Sequence, residues 1–303
     1  MNNIKMDLLY EAVSDKGHVC VGLDTSADYV PQAERNRAQS DADAVLSFNK
    51  ALIDATLDAA ACYKVQIAYY EEMGLSGLKT YSETLKYIRR KNAVVIGDIK
   101  RGDIADTALR YAKAHFSGEF EADFVTLNPY MGMDSIEPWL KEAQKNKKGA
   151  FVLMRTSNPG MKDFEYLEIK NKNIADNSRL YSAVGDKISL LAKQNMGKNG
   201  FGIFGVVVGC TESDEAREIR NNYPHLFFLI PGYGAQGGGA QEAALLLKNK
   251  NGGVVNASRS IITAWQKAGG MEAGKINNNF AAEAAREAVI KMRDGIYEVL
   301  KNE

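Results

Sequence analysis

The 303-residue chain holds only three cysteines and three histidines. Cys20, Cys62 and Cys210 are odd in number, far apart and set in or beside apolar segments. That pattern excludes a disulfide framework and a cysteine-rich zinc site, and implies buried free thiols of a reducing compartment. His18, His115 and His225 lack ligand spacing, so no metal cage is expected. Nor is there an excess of either charge: 38 Lys and Arg face 38 Asp and Glu, which argues against nucleic acid or an anionic membrane as partner. No apolar run reaches the roughly 18 residues of a membrane span, and residues 1–7 contain no apolar h-region. A soluble, cytoplasmic protein acting on a small molecule is expected.

What the sequence does contain is alternation. Short apolar runs at 18–23, 61–66, 93–99, 124–127, 150–154, 204–208, 226–230 and 254–257 read as strands. Helical patterns at 44–57, 78–90, 107–116, 136–144, 214–221 and 241–247 separate them, and 281–300 is a long amphipathic helix. Parallel strands need long crossovers, so eight such units predict an α/β fold, a single-domain (β/α)8 TIM barrel over 1–303, with an open doubly wound sheet as the alternative. A polar tract at about 161–200 reads as an elaborated loop near the mouth of the barrel, in the position of a lid, with a helical piece at 184–192. Polar residues collect where the strands stop, at Asp24, Asp98, Lys100, Asn128, Thr156 to Asn158, Thr211, Gln236 and Arg259.

The chain is organised around Gly97 to Thr107, a charged strand-to-helix turn. Asp98 and Lys100, two apart on an extended chain, share one face. Asp103 stands where the next helix should begin, either as an N-cap or turned back toward the same space. Lys64 lies inside an apolar strand, where an unpaired ammonium is costly, so it is expected to point into the mouth toward Asp98. Lys50 lies in a helical setting and reads as a surface or supporting residue.

The segment 231–239 carries a G-x-G-x-x-G after a strand, but the acidic residue of a dinucleotide site is missing about 20 positions on. The glycines read instead as a backbone approach to an anion. They follow the seventh strand and Arg259 follows the eighth, where barrels commonly bind phosphate, so a phosphorylated substrate is expected.

Taken together, these residues resemble the orotidine 5′-phosphate decarboxylase family, in its longer bacterial branch. The resemblance rests on Asp24 in Val21-Gly22-Leu23-Asp24, on Lys64 in Tyr63-Lys64-Val65-Gln66-Ile67-Ala68, and on the D-x-K-x-x-D-I of Asp98 to Ile104 with Thr107. It extends through Thr156-Ser157-Asn158-Pro159-Gly160 and Pro231 to Gly238, and ends at Arg259-Ser260-Ile261. Val65 and Tyr69-Tyr70 depart from the family wording without an expected effect on the chemistry. The resemblance implies decarboxylation of orotidine 5′-monophosphate to uridine 5′-monophosphate with no metal or cofactor. It implies catalytic roles for Lys100, Asp98, Lys64 and Asp103, and substrate contacts from Asp24, Thr107, Ser157, Pro231, Gln236, Gly237 and Arg259. It assigns protonation of C6 to Lys100, opposition to the substrate carboxylate to Asp98, ribose to Lys64 and Asp24, the pyrimidine to Ser157, and the phosphate to Gln236 and Arg259. It further implies a homodimer in which Asp103 and Thr107 enter the neighbouring subunit's site.

Three other readings share parts of this pattern. A Mg2+-dependent sugar-phosphate decarboxylase or synthase of the same superfamily would need an acidic ligand in place of Lys64. A Schiff-base aldolase would need a lysine of lowered pKa, whereas neighbouring aspartates hold lysines protonated. A catalytically silent nucleotide-binding barrel would bind without turnover.

Overall fold

Eight β-branched and apolar runs pair side by side as parallel strands and close on themselves. The strands are β1 (Val19–Leu23), β2 (Cys62–Gln66), β3 (Val94–Arg101), β4 (Phe124–Leu127), β5 (Gly149–Arg155), β6 (Phe204–Val208), β7 (Phe228–Ile230) and β8 (Gly253–Ala257). Each pairs with its sequence neighbours, and β8 returns to β1 through Val19 against Val255. The computed structural model describes residues 4–169, 178–212, 214–234, 237–248, 250–268 and 276–302. The open-sheet alternative is excluded by the closure.

Parallel strands buried on both faces form two cores. Outward residues such as Val21, Tyr63, Val65 and Val95 pack against the helices, whereas Cys20, Cys62, Ile96, Phe124 and Phe151 belong to a separate cluster inside the barrel. Helices Asp41–Thr56, Gly74–Arg90, Ala105–Phe116, Glu137–Asn146, Leu180–Gln194, Ala216–Asn222 and Ala240–Leu245 follow the first seven strands. The C-terminal helix Asn278–Lys301 buries Ala281, Ala285, Val289, Met292 and Ile296 at spacings of three and four, the stripe of a helix with one covered face. No helix among the described residues is long and apolar enough to cross a membrane.

Two features were not anticipated. A helix at Lys5–Lys16 inserts Met6, Leu9 and Val13 into the interior cluster and so closes the end of the barrel opposite the mouth. Among its described residues the tract after β5 carries a short hairpin pairing, Glu168–Ile169 antiparallel with Ser178–Arg179, and the expected helix starts earlier, at Leu180.

Candidate active site

Where the strands end, a cavity of about 600 Å³ opens, lined among others by Asp24, Lys64, Asp98, Lys100, Ser157 and Arg259. The period of two along a strand explains why. Cys62, Lys64 and Gln66 alternate with the outward Tyr63 and Val65, so the residue type that cannot sit in the apolar outer core faces inward. Gly22 makes room for the neighbouring wall: a Cβ there would overlap Ser258 Oγ and lie 3.0 Å from Asn256 Oδ1.

Asp98 is the centre of the site. Its Oδ2 accepts from Lys64 Nζ at 2.7 Å and Gln66 Nε2 at 3.0 Å, and its Oδ1 accepts from Lys100 Nζ at 2.7 Å and Thr126 Oγ1 at 2.8 Å. Lys64 also reaches Asp24 Oδ1 at 3.1 Å. The result is an alternating row, Asp24–Lys64–Asp98–Lys100. Burial by itself would raise the Asp98 carboxyl, but the charges of Lys64 and Lys100 and their hydrogen bonds outweigh it and hold the group well below the usual carboxylate range. For Lys64, burial pulls downward while the charges of Asp24 and Asp98 and the hydrogen bond to Asp98 push the ammonium well above the usual lysine value. Both groups are therefore ionised at neutral pH. Lys64 and Asp98 are buried, while the Lys100 side chain remains 45% exposed and turned to the cavity.

Lys100 occupies the left-handed region, with φ 45°, a conformation that costs a non-glycine residue about 1–3 kcal/mol and persists only where its surroundings impose it. The register between β3 and β4 shifts between Gly97 and Arg101, and Thr126 fills the irregularity. Its hydroxyl accepts the amides of Ile99 at 3.0 Å and Lys100 at 2.9 Å while donating to Asp98. Sequence reading passed over Thr126 because threonine is ordinary in a strand; only the bulge gives it three partners. Gln66 and Asn256 were missed too, and both line the cavity.

The other expected residues divide. Ser157, Pro231 and Arg259 line the cavity. The Arg259 side chain makes no hydrogen bond or ion pair to another described side chain, and Gly234 packs near Ser260. Of the glycine-rich turn, the amides of Gly234, Gly237 and Gly238 bond to carbonyls within the turn, so these three close the loop rather than face an anion. Gly234 and Gly237 have φ of 76° and 96°, which explains glycine at both. Gln236 lies outside the described residues. Asn128 and Thr211 do not line the cavity; Thr211 Oγ1 instead donates to the Ser157 carbonyl at 3.3 Å. Asp103 and Thr107 do not line it either. Ile104, not Asp103, is the N-cap of the following helix, and Asp103 Oδ1 accepts the Ile104 amide at 2.8 Å. Lys50 lies over the Tyr87 ring, away from the site.

Comparison with known proteins gives the family. Residues 17–273 match the model of the orotidine 5′-phosphate decarboxylase / HUMPS family. Orotidine 5′-phosphate decarboxylase from Clostridium perfringens is 54% identical over 294 residues, covering 97% of this chain and 98% of that protein. The Clostridium kluyveri protein of the same name is 51% identical over 98% of each chain. Among solved structures, the Leishmania donovani OMP decarboxylase superposes with a TM-score of 0.75 at 30% identity, covering 98% of this chain and 99% of that one.

Proposed function

The chain belongs to the orotidine 5′-phosphate decarboxylase family, and on that premise we propose how its cavity releases CO2: by fixed charges, with neither metal ion nor organic cofactor. The protein is a carboxy-lyase of pyrimidine biosynthesis, converting orotidine 5′-monophosphate to uridine 5′-monophosphate.

The observation that carries the proposal is the alternating row of charges. Loss of CO2 from C6 leaves an electron pair in the plane of the ring, which the pyrimidine π-system cannot accept. A cation held at that carbon stabilises the pair, and its proton then closes the C6–H bond. Lys100 fills that role: its ammonium is anchored to Asp98 and exposed to the cavity. Asp98, ionised and saturated by four donors, stands next to where the substrate carboxylate arrives and favours its departure. Lys64 and Asp24 take the ribose hydroxyls, Ser157 the base, and Arg259 with Pro231 and Gln236 the phosphate. Binding of the remote phosphate supplies energy for positioning at C6. The Lys64 ammonium stands between the carboxylates of Asp24 and Asp98, where a Mg2+-dependent relative would need a cation site.

The active protein is a homodimer in this proposal. Asp103 and Thr107 do not reach their own cavity and serve the neighbour's. Support comes from the exposed Ile104, Tyr130 and Met131 on two adjoining loops, where Gly102 packs against Asn128. We place the protein in the cytoplasm, in keeping with its three free, buried cysteines.

Turnover in D2O tests the chemistry. Uridine 5′-monophosphate carrying one deuterium at C6, formed one-to-one with CO2, is the expected product; binding of the nucleotide without release of CO2 would favour the silent barrel.

A further inference from the structure

We infer that Glu165 is a positioning residue for the turn that receives the base, and that through it the tract after β5 works as a brace at the mouth. The inference rests on the reading of Ser157 as the pyrimidine contact.

The turn Thr156–Asn158 leaves the end of β5 and lines the cavity. From below it is fixed by β6. Gly209 donates its amide to the Arg155 carbonyl at 2.8 Å, and the buried Arg155 guanidinium donates to the Gly209 carbonyl. A Cβ on Gly209 would stand 2.7 Å from Ser157 Cβ and 2.8 Å from its Cα, so Ser157 rests directly on bare backbone. From above, the only carboxylate that bonds the turn among the described residues is that of Glu165. It accepts the Thr156 amide on Oε2 at 2.8 Å and the Thr156 hydroxyl on Oε1 at 2.7 Å. The Thr156 hydroxyl also lies 2.7 Å from Asn158 Oδ1, so its one proton is shared between two acceptors, while the charge-assisted bond from the Thr156 amide fixes the Arg155–Thr156 peptide that leads into Ser157.

Glu165 is itself held. Its amide bonds to the Met161 carbonyl at 2.8 Å, and its carbonyl accepts the Tyr181 amide at 3.0 Å, where the helix Leu180–Gln194 begins. The same tract grips the next mouth loop: Arg179 pairs with Glu215, Tyr166 donates to Glu215 at 3.0 Å, and Lys162 meets Glu212 at 3.2 Å. Its polar groups thus tie the loops after β5 and β6 together around Ser157.

A brace of this kind acts on recognition of the base and leaves recognition of the phosphate alone. The test is calorimetric binding of uridine 5′-monophosphate and of ribose 5-phosphate, which lacks the base, to the full-length protein and to Glu165→Ala, Glu165→Gln and Ser157→Ala. Glu165→Ala is expected to bind uridine 5′-monophosphate roughly tenfold more weakly while ribose 5-phosphate binding is unchanged, with most of the loss restored in Glu165→Gln, whose amide oxygen still accepts the Thr156 N–H. Thr156→Ala removes the hydroxyl arm together with the bond of the same hydroxyl to Asn158 Oδ1, keeps the amide arm, and should give a smaller loss in the same sense, a check that does not depend on Glu165→Ala folding. Equal losses for both ligands, or none, would overturn the inference. If Ser157→Ala separates the two ligands and Glu165→Ala does not, the brace alone fails; if neither separates them, the role of Ser157 in reading the base fails and the brace with it.

Discussion

Lys64 Nζ lies 2.7 Å from Asp98 Oδ2, and both side chains are about 6% exposed. A buried pair in this geometry is a commitment, because removing either partner leaves the other charged and unpaired. Asp98→Asn should therefore destabilise the fold by about 3–5 kcal/mol as well as abolish turnover. The sign of its pH dependence follows from the two shifts. Asp98 is lowered, so its contribution is present above the unfolded carboxyl pKa of about 3.9 and lost as acid approaches the folded value; Lys64 is raised, so its contribution is present below about 10.4 and lost as pH rises beyond it. Urea midpoints across pH check both limbs, which should flatten in Asp98→Asn.

Thr126→Val keeps the shape of the side chain and removes its hydroxyl. Asp98 Oδ1 then loses a donor, and the amides of Ile99 and Lys100 lose their acceptor. The left-handed conformation of Lys100 is no longer held, so kcat should fall by about 10–100-fold with little change in KM, and Thr126→Ser should recover most of it. Steady-state kinetics on the three proteins decides this.

His115 stacks against Trp139 at 6.4 Å, and burial, aided by the charge of Arg101, lowers it to about 4. Unfolded histidine titrates near 6.5, so between pH 6.5 and 4 the unfolded state binds more protons and stability falls with acid, by up to about 3 kcal/mol. Above pH 6.5 the effect is absent. His115→Phe should unfold with a weaker acid dependence in that window, measured by thermal melts.

Subunit sharing has its own readout. Lys100→Ala and Asp103→Ala are each expected to be inactive alone. If Asp103 serves the neighbouring site, mixing and re-equilibrating the two variants makes hybrid dimers with one intact site, and roughly a quarter of wild-type activity should return. No recovery from a confirmed dimer would remove Asp103 from the partner's site.

Arg259→Ala should weaken binding of the nucleotide by roughly 10–100-fold, the range of a charge-assisted contact to phosphate, while leaving the affinity for orotidine unchanged. Equal effects on both ligands would move Arg259 out of the phosphate site.

Legibility in the sequence followed the cost of misplacing a residue. A lysine inside Cys62–Gln66 has nowhere to go but the mouth, and Asp98 and Lys100 mark the end of β3, so both were readable from one strand at a time. All eight strands were readable because apolar runs alternate with helical stripes. Thr126 was not, since its partners exist only after β3 and β4 shift register. Glu165 was not, since nothing local joins it to Thr156 nine residues earlier. The Lys5–Lys16 helix carried a signal in the spacing of Met6, Leu9 and Val13, and went unread. The glycine-rich turn shows the reverse case: its glycines were noticed, but their positive φ and internal hydrogen bonds are what they contribute at Gly234 and Gly237.

In the proposed reaction the row Asp24–Lys64–Asp98–Lys100 releases CO2 without a metal ion. Turnover of orotidine 5′-monophosphate, followed by ultraviolet absorbance with excess EDTA and with Lys100→Ala in parallel, tests it most directly. The rate should be unchanged by EDTA and reduced by about 10³-fold or more in Lys100→Ala. Activity abolished by EDTA, or preserved without Lys100, would contradict it.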